Sequence, residues 1–192
     1  MPRLARRVGL TPMALYRYVP GKDALVDLMV DVAIGDPPGP GRAGAGWRQG
    51  LREWAGQAQA GFRRHPWLIE ATARQRLMGP SELGWLDRAV GLLDGTGLTG
   101  PERLDAVLVL LGHVRSMAQY AASRAHGGMA AGDWNAATVR LVNQHSDRYP
   151  ALRSAVEDGA LSPDDRNGLE FGIQRVLDGI EVLIASRANA GN

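Results

Sequence analysis

Apolar positions along this chain recur three and four residues apart in nearly every segment. That spacing places apolar side chains on one face of an α-helix, which turns once every 3.6 residues. Alternating runs of β-branched residues, which would predict strands, are missing from the sequence. The pattern therefore predicts an all-α fold.

Glycine and proline pairs such as Pro20-Gly21 and Gly79-Pro80 divide this pattern into separate helices. Residues 130–161 carry turn signals near both 149 and 158. A short helix between those two turns is one alternative for this region. We predict helices at residues 2–8, 11–19, 22–34, 47–64, 66–78, 81–95, 101–126, 134–148 and 164–187.

A segment rich in glycine and proline, residues 35–46, is the best candidate for a linker. It separates a small head, residues 1–34, from a larger body, residues 47–192. The net charge of the 192-residue chain is only +2, but the first 22 residues contain five basic side chains and no acidic one. Because basic patches attract polyanions, the head is the expected site of contact with a nucleic acid.

Several classes of protein are disfavoured by the composition. The chain has no cysteine, which rules out disulfides, thiolate metal sites and cysteine nucleophiles. No run of 18 apolar residues predicts a membrane span, and we expect a cytoplasmic protein without a membrane partner. The four histidines are scattered, and phosphate loops, nucleophile elbows and paired carboxylates are missing. We therefore expect neither an enzyme nor a metal or other cofactor.

Two short predicted helices in the head, joined by a tight turn at Gly9, are typical of a helix-turn-helix. Gly9 permits a positive φ, Leu10 is expected to point inward, and the small Ala5 suits the place where the helices cross. Residues 11–19 would then enter the major groove of DNA. The alternative is a surface hairpin with a solvated basic face.

The order of residues in the head resembles the tetracycline repressor (TetR) family of bacterial transcriptional regulators. The matching residues are Leu4-Ala5, Gly9-Leu10-Thr11, Ala14-Leu15-Tyr16-Arg17-Tyr18-Val19 and Gly21-Lys22-Asp23-Ala24-Leu25. The resemblance implies an N-terminal helix-turn-helix DNA-binding head and a C-terminal helical ligand-binding and dimerisation domain. It also implies a ligand-responsive repressor that binds a palindromic operator as a homodimer and is released by a small-molecule effector.

The reading helix, as we call residues 11–19, supplies four of the predicted DNA contacts. Thr11 caps the helix and Pro12 fills its first position, where free N–H groups and the helix dipole favour a phosphate. Met13 and Arg17 lie four residues apart on one face, so both can approach base edges. Arg17 can bridge O6 and N7 of guanine.

Three further DNA contacts are predicted. The resemblance implies that Tyr16 and Lys22 touch the DNA backbone, and Lys22 also begins the third helix. A packing role for Tyr16 is the alternative. Tyr18 has two alternative roles, packing at the edge of the core or contact with the DNA backbone.

The last long helix carries an apolar stripe at helical spacing, which predicts a dimer interface. Gly172 and Gly179 lie beside this stripe and allow close helix approach, and residues 101–126 carry a similar stripe. The alternative is that both stripes close the core of one subunit. The predicted interface residues are Leu169, Ile173, Val176, Leu177, Ile180, Leu183 and Ile184.

Methionine and aromatic side chains on the body helices predict an adaptable apolar pocket for the effector. Arg74, Gln75 and Arg115 are its polar candidates. The alternative for each apolar member is ordinary core packing. The predicted pocket residues are Trp67, Met78, Trp85, His113, Met117 and Tyr120.

The resemblance also implies a further helix before residues 2–8, for which the sequence as given has no room. We therefore expect Leu4, Val8 and Leu15 to be exposed on one side of the head. An alternative function follows, a dimeric helical protein that binds a ligand or partner and has lost DNA binding. A small helical enzyme is a third hypothesis, but no set of residues supports it.

Overall fold

The all-α prediction is confirmed in a computed structural model, which describes residues 2–7, 9, 11–37, 39, 46–125, 131–162 and 168–190. These residues form α-helices and no strand. The helices are α1 (Pro2–Arg7), α2 (Pro12–Tyr18), α3 (Lys22–Ile34), α4 (Trp47–Arg64), α5 (Trp67–Ala71), α6 (Pro80–Gly91), α7 (Gly100–Ala125), α8 (Ala131–Gln144), α9 (Pro150–Glu157) and α10 (Gly168–Ala190).

The predicted helix at residues 66–78 is wrong over most of its length, because the chain leaves the helix after α5. The helix ends at its C-cap residue, Thr72, whose backbone N–H and hydroxyl both donate to the carbonyl of Leu68, at 2.9 and 2.7 Å. Beyond it, Arg74 and Arg76 form ion pairs with other parts of the fold. These contacts hold residues 72–79 in a non-helical path that leads to α6.

The core of the body lies where α4, α6, α7 and α10 meet. α7 packs along both α4 and α10, while α8 and α9 pack against each other. The largest fully buried side chains in this core are leucines and valines, as close packing of helices requires. They are Leu51, Leu93, Leu110, Leu177, Val107 and Val114.

A small separate core holds the head together. Ala5 and Val19 are buried in it, and Leu4, Ala24 and Leu25 pack against them. Leu15 is only 7% exposed there, so the expectation that it would face solvent is wrong. The reason is that α1, α2 and α3 close around it. Val8 and Leu10 lie outside the described residues.

The apolar stripe predicted for the dimer interface faces the core of its own subunit. Ile173, Leu177 and Ile180 are buried there, and the other four residues of the stripe pack against that core while half-buried. The outer side of α10 carries different apolar residues, Phe171 and Val182, which are exposed. The interface itself therefore stays a prediction.

Membrane spans and metal sites were sought in the part of the chain that the structure describes. None of its helices combines the length and the hydrophobicity that a membrane span requires. Within the same residues, no group of three histidine or carboxylate side chains is placed to hold a metal ion.

Candidate functional site

The turn before α2 has the geometry that its sequence predicts. Gly9 has a φ of 70°, the left-handed region that favours glycine. Thr11 caps α2, because its Oγ1 accepts the backbone N–H of Ala14 at 3.2 Å. Pro12 is the first residue of the helix. The cap fixes the start of α2, the element that carries most of the predicted DNA contacts.

The remaining predicted DNA contacts are exposed on α2 and at the start of α3. Met13 is 82% exposed and Tyr16 and Lys22 also face solvent. Tyr18 is 69% exposed, which places it outside the core of the head. The Arg17 guanidinium lies 5.4 Å from the centre of the Tyr18 ring, and its Nη2 donates to the Tyr18 hydroxyl at 3.3 Å. Arg17 must leave that partner to reach a base.

Two acidic residues of α3 are turned towards the body instead of the predicted DNA surface. The Arg74 guanidinium pairs with Asp23 at 2.8 Å and with Asp27 at 3.1 Å. Their negative charge is therefore partly compensated by Arg74. Arg17 on α2 and Lys22 at the start of α3 are exposed positive charges on the predicted DNA surface.

A cavity of about 230 Å³ lies in the body, bounded by α4, α5, α6 and α7 and by the end of α3. Most of its lining is aromatic or aliphatic, with few polar groups, as is usual for small-molecule sites. The lining residues are Ile34, Trp54, Gln57, Ala58, Gly61, Phe62, Leu68, Thr72, Met78, Glu82, Trp85, Leu86, Leu108, Leu111 and Arg115.

Only part of the predicted pocket set meets in this cavity. Met78 and Trp85 line it, whereas Trp67 lines a second hollow that also borders Arg115. The residues of this second hollow are Pro66, Trp67, Ile69, Glu70, Ala73, Arg115, Gln119, Ala122 and Ser123. Tyr120 lies on α7 and is half exposed, and it lines neither of these two spaces.

His113 and Met117 face α10 instead of the cavity. His113 Nε2 lies 3.1 Å from the carbonyl oxygen of Leu169, and a Cβ at Gly172 would overlap the imidazole ring. The Met117 sulfur lies close to Gly168. Helical spacing placed these two residues correctly on one face of α7, but that face packs against α10.

Sequence reasoning missed the side of α4 that forms a cavity wall. Trp54, Ala58, Gly61 and Phe62 follow helical spacing and all line the cavity. Their periodicity was visible in the sequence, but an apolar face on a helix is also the mark of a core. Only the packing of α4 beside α6 and α7 distinguishes a wall from a filled interior.

The two tryptophans of the cavity have their polar groups satisfied. Trp54 Nε1 donates to the backbone carbonyl of Trp85 at 3.0 Å, and Trp85 Nε1 donates to the carbonyl of Gly35 at 3.1 Å. The indole rings are tilted at 57° with centres 6.2 Å apart. The second of these hydrogen bonds ties α6 to the residue that ends α3.

A carboxylate of α3 makes a second tie to α6. Asp31 Oδ1 accepts the backbone N–H groups of Ser81 at 2.9 Å and Glu82 at 3.2 Å. Asp31 therefore serves as the N-terminal cap that Gly79, lacking a side chain, cannot provide. We call Asp31, Gly35, Ser81, Glu82 and Trp85 the α3–α6 junction. It connects the last helix of the head to a wall of the cavity.

Comparison with known proteins gives matches over most of the chain. A family profile described as "Tetracyclin repressor-like, C-terminal domain" matches residues 39–184. The chain is 39% identical over 195 residues to the HTH-type transcriptional repressor DrrR1 of Streptomyces coeruleorubidus, with 97% of this chain and 71% of that protein covered. It is 26% identical over 152 residues to an HTH-type transcriptional regulator of Saccharopolyspora erythraea, which covers 79% of the chain and 64% of the relative.

Solved structures share the fold. The TetR family protein ActR of Streptomyces coelicolor, in complex with actinorhodin, superposes with a TM-score of 0.75 at 22% identity. The superposition covers 96% of this chain and 87% of that one. At this identity the likeness shows the architecture of a helical head and body.

Proposed function

The chain belongs to the tetracycline repressor-like family of transcriptional regulators, and from that premise we propose a ligand-released repressor that binds operator DNA as a homodimer. The observation that carries the proposal is the α3–α6 junction, where hydrogen bonds from Trp85 and to Asp31 join the head to the wall of an apolar cavity. The relative at 39% identity is named a transcriptional repressor, which supports the sign of the regulation.

DNA contact is proposed for the exposed face of α2 and the start of α3. The exposure of Met13 and Arg17 supports contact with base edges in the major groove. Tyr16, Tyr18 and Lys22 are exposed beside them and suit the phosphate backbone. For Thr11 and Pro12, which begin α2, contact with a phosphate is proposed.

Dimerisation is proposed through the outer sides of α7 and α10. Val109 on α7 and Phe171 and Val182 on α10 are apolar and exposed. A Cβ on Gly112 or Gly179 would meet no atom within 4 Å, so both positions are open to close approach by a second copy. Two helices from each subunit would then form a four-helix interface. Of the predicted stripe, only its half-buried members would border this interface.

Release of DNA is proposed to begin at the cavity. A ligand between α4, α6 and α7 would press on Trp85 and Ile34, which belong to the wall and adjoin the end of α3. Because the two reading helices of a dimer must match half-sites about one helical turn apart, a small rotation of α3 is enough to weaken binding. ActR, which shares this fold, is a protein whose structure contains a bound small molecule, actinorhodin.

The DNA-binding part is tested by selecting duplexes from a randomised pool with the purified chain. Affinity for the selected duplex is then measured by fluorescence anisotropy across salt concentrations. We expect a sequence with two-fold symmetry. Lys22→Ala should weaken binding to all duplexes and lower the salt slope by about one unit. Arg17→Ala should cost about 1–3 kcal/mol and relax the sequence preference.

Arg140→Ala is the matched control, because Arg140 is exposed on α8, outside the proposed interface. It should leave both affinity and salt slope unchanged. The proposal would be contradicted if the selection enriched no DNA sequence and if neither Lys22→Ala nor Arg17→Ala changed the affinity for DNA. The dimer part is checked by size-exclusion chromatography with light scattering, in which the wild type should have the mass of a dimer and Val182→Glu that of a monomer.

A further inference from the structure

Arg115 is a cation on the apolar cavity without a carboxylate partner among the described residues. It lies on α7, half-buried, four residues after Leu111, and it borders both the cavity and the second hollow. Its one hydrogen bond there is a long contact of 3.4 Å from Nη1 to the carbonyl oxygen of Thr72. A guanidinium has five N–H donors, so most of its capacity is left for a ligand.

The carboxylate on the same cavity is already neutralised. Arg76 Nη2 lies 2.7 Å from Oε1 and 2.6 Å from Oε2 of Glu82. The side chain of Arg76 is only 5% exposed, so this ion pair is shielded from water. Of the two charged side chains that line the cavity, Glu82 is paired with Arg76, so the positive charge of Arg115 is left uncompensated there. Glu70 lines the second hollow with Arg115 but forms no ion pair with it.

We propose that the effector is an apolar, aromatic organic anion whose carboxylate, sulfonate or phenolate binds Arg115. This inference rests on the proposed function of the cavity and adds the chemical class of its ligand. The aromatic walls at Trp54, Phe62 and Trp85 pack against flat rings. The guanidinium supplies charge-assisted hydrogen bonds, which are stronger than those between neutral groups.

A cationic effector does not fit this arrangement. It would have to displace Arg76 from Glu82, leaving a shielded guanidinium unpaired, and it would meet the charge of Arg115 in the same cavity. A neutral effector would leave the guanidinium of Arg115 bound only to the Thr72 carbonyl. Arg115 is thus assigned as the residue that selects for negative charge.

The test uses two dyes that share one ring system. Anilinonaphthalene sulfonate carries a negative charge, and N-phenylnaphthylamine is the same skeleton without the sulfonate. Binding of each dye to the purified chain is followed by its fluorescence. We expect the sulfonate to bind at least about tenfold more tightly than the neutral dye. Arg115→Gln should abolish that preference by weakening the sulfonate alone.

Two controls keep the result specific. Arg140→Gln removes an exposed arginine elsewhere and should change either affinity by no more than about twofold. Arg115→Lys keeps the charge and should retain part of the preference, which separates loss of charge from misfolding. Ala58→Trp, or the smaller Ala58→Met, fills the cavity and should weaken both dyes, which locates them there. Circular dichroism checks that each variant is folded.

Two results would overturn the inference in distinguishable ways. In the first, cavity filling weakens both dyes, but the two dyes bind equally well or the preference is unchanged in Arg115→Gln. That result would refute the selection for charge. The proposed function of the cavity would survive that result. Binding of both dyes that is indifferent to filling at Ala58 would show that the cavity does not take up such ligands, and would overturn the effector part of the proposed function as well.

Discussion

The cap that Asp31 provides to α6 leads to a specific prediction for Gly79. A Cβ built on Gly79 would overlap the carboxylate of Asp31 and would lie 2.7 Å from its Cβ. Because real Cβ atoms do not approach so closely, Gly79→Ala must push the backbones at Gly79 and Asp31 apart as well as turn the Asp31 carboxylate away. The N–H groups of Ser81 and Glu82 would then lose their acceptor.

The expected cost follows from the loss of that cap. Removing an N-cap typically costs about 1 kcal/mol, and removing an anion from the positive end of a helix dipole adds about 0.3–1 kcal/mol. The lost cap should therefore lower the free energy of unfolding of Gly79→Ala by about 1–2 kcal/mol, before the cost of moving the backbone is added. For a chain of this size, that lowers the midpoint of thermal unfolding by about 2–8 °C.

Thermal and urea unfolding, followed by circular dichroism, measure this change. Gly56→Ala is the matched control, since Gly56 lies exposed inside α4 and a Cβ there meets no atom within 4 Å. That control should gain about 0.5–1 kcal/mol from helix propensity. In an Asp31→Gly background, which removes both the carboxylate and the Cβ that overlap, Gly79→Ala should cost much less. If Gly79→Ala proved as harmless as Gly56→Ala, the role of Asp31 as the cap would be refuted.

Two further substitutions test the junction and the body. Trp85→Phe removes the hydrogen bond to Gly35. In anisotropy titrations this variant should bind DNA with an affinity within about twofold of wild type. The effect of a cavity ligand on that affinity should fall by up to about tenfold. Glu102 has its pKa lowered from 4.5 to about 2, first by a hydrogen bond from Arg187 and then by those from Thr99. Since the folded-state pKa is depressed, its contribution is full above about pH 4.5 and disappears as the pH falls towards 2. The difference in thermal stability between wild type and Glu102→Gln should shrink over that window, and a constant difference would contradict this.

The head was the part that the sequence predicted best, because its signals are local. Gly9 requires a positive φ, Thr11 caps the helix that follows it, and Pro20-Gly21 ends that helix. Each signal acts within a few residues, so the turn and the cap could be predicted before any packing was known. The burial of Leu15 was missed because it depends on how three helices close around one side chain.

The segment after α5 shows where local periodicity fails. Arg74 and Arg76 fit a helical pattern, but their partners lie on α3 and α6. The pairs of Arg74 with Asp23 and Asp27 of α3, and of Arg76 with Glu82 at the start of α6, hold the chain in its non-helical path there. Helix spacing carries no information about such partners.

The cavity was predicted only in part for a related reason. Spacing assigns residues to one face of a helix, but it does not say which neighbour that face meets. His113 and Met117 share a face of α7 that packs against α10, whereas Leu111 and Arg115 lie on the face that borders the cavity. The distinction depends on the arrangement of α4, α7 and α10.

The central claim is that the cavity and the DNA-binding head are coupled through the α3–α6 junction. The most direct measurement is the anisotropy of the selected duplex titrated with the chain, with and without saturating anilinonaphthalene sulfonate. Coupling between sites in one protein is typically worth about fivefold or more in affinity, so the dissociation constant for DNA should rise by at least that factor. An unchanged dissociation constant, while the dye fluorescence shows that the cavity is filled, would contradict the account.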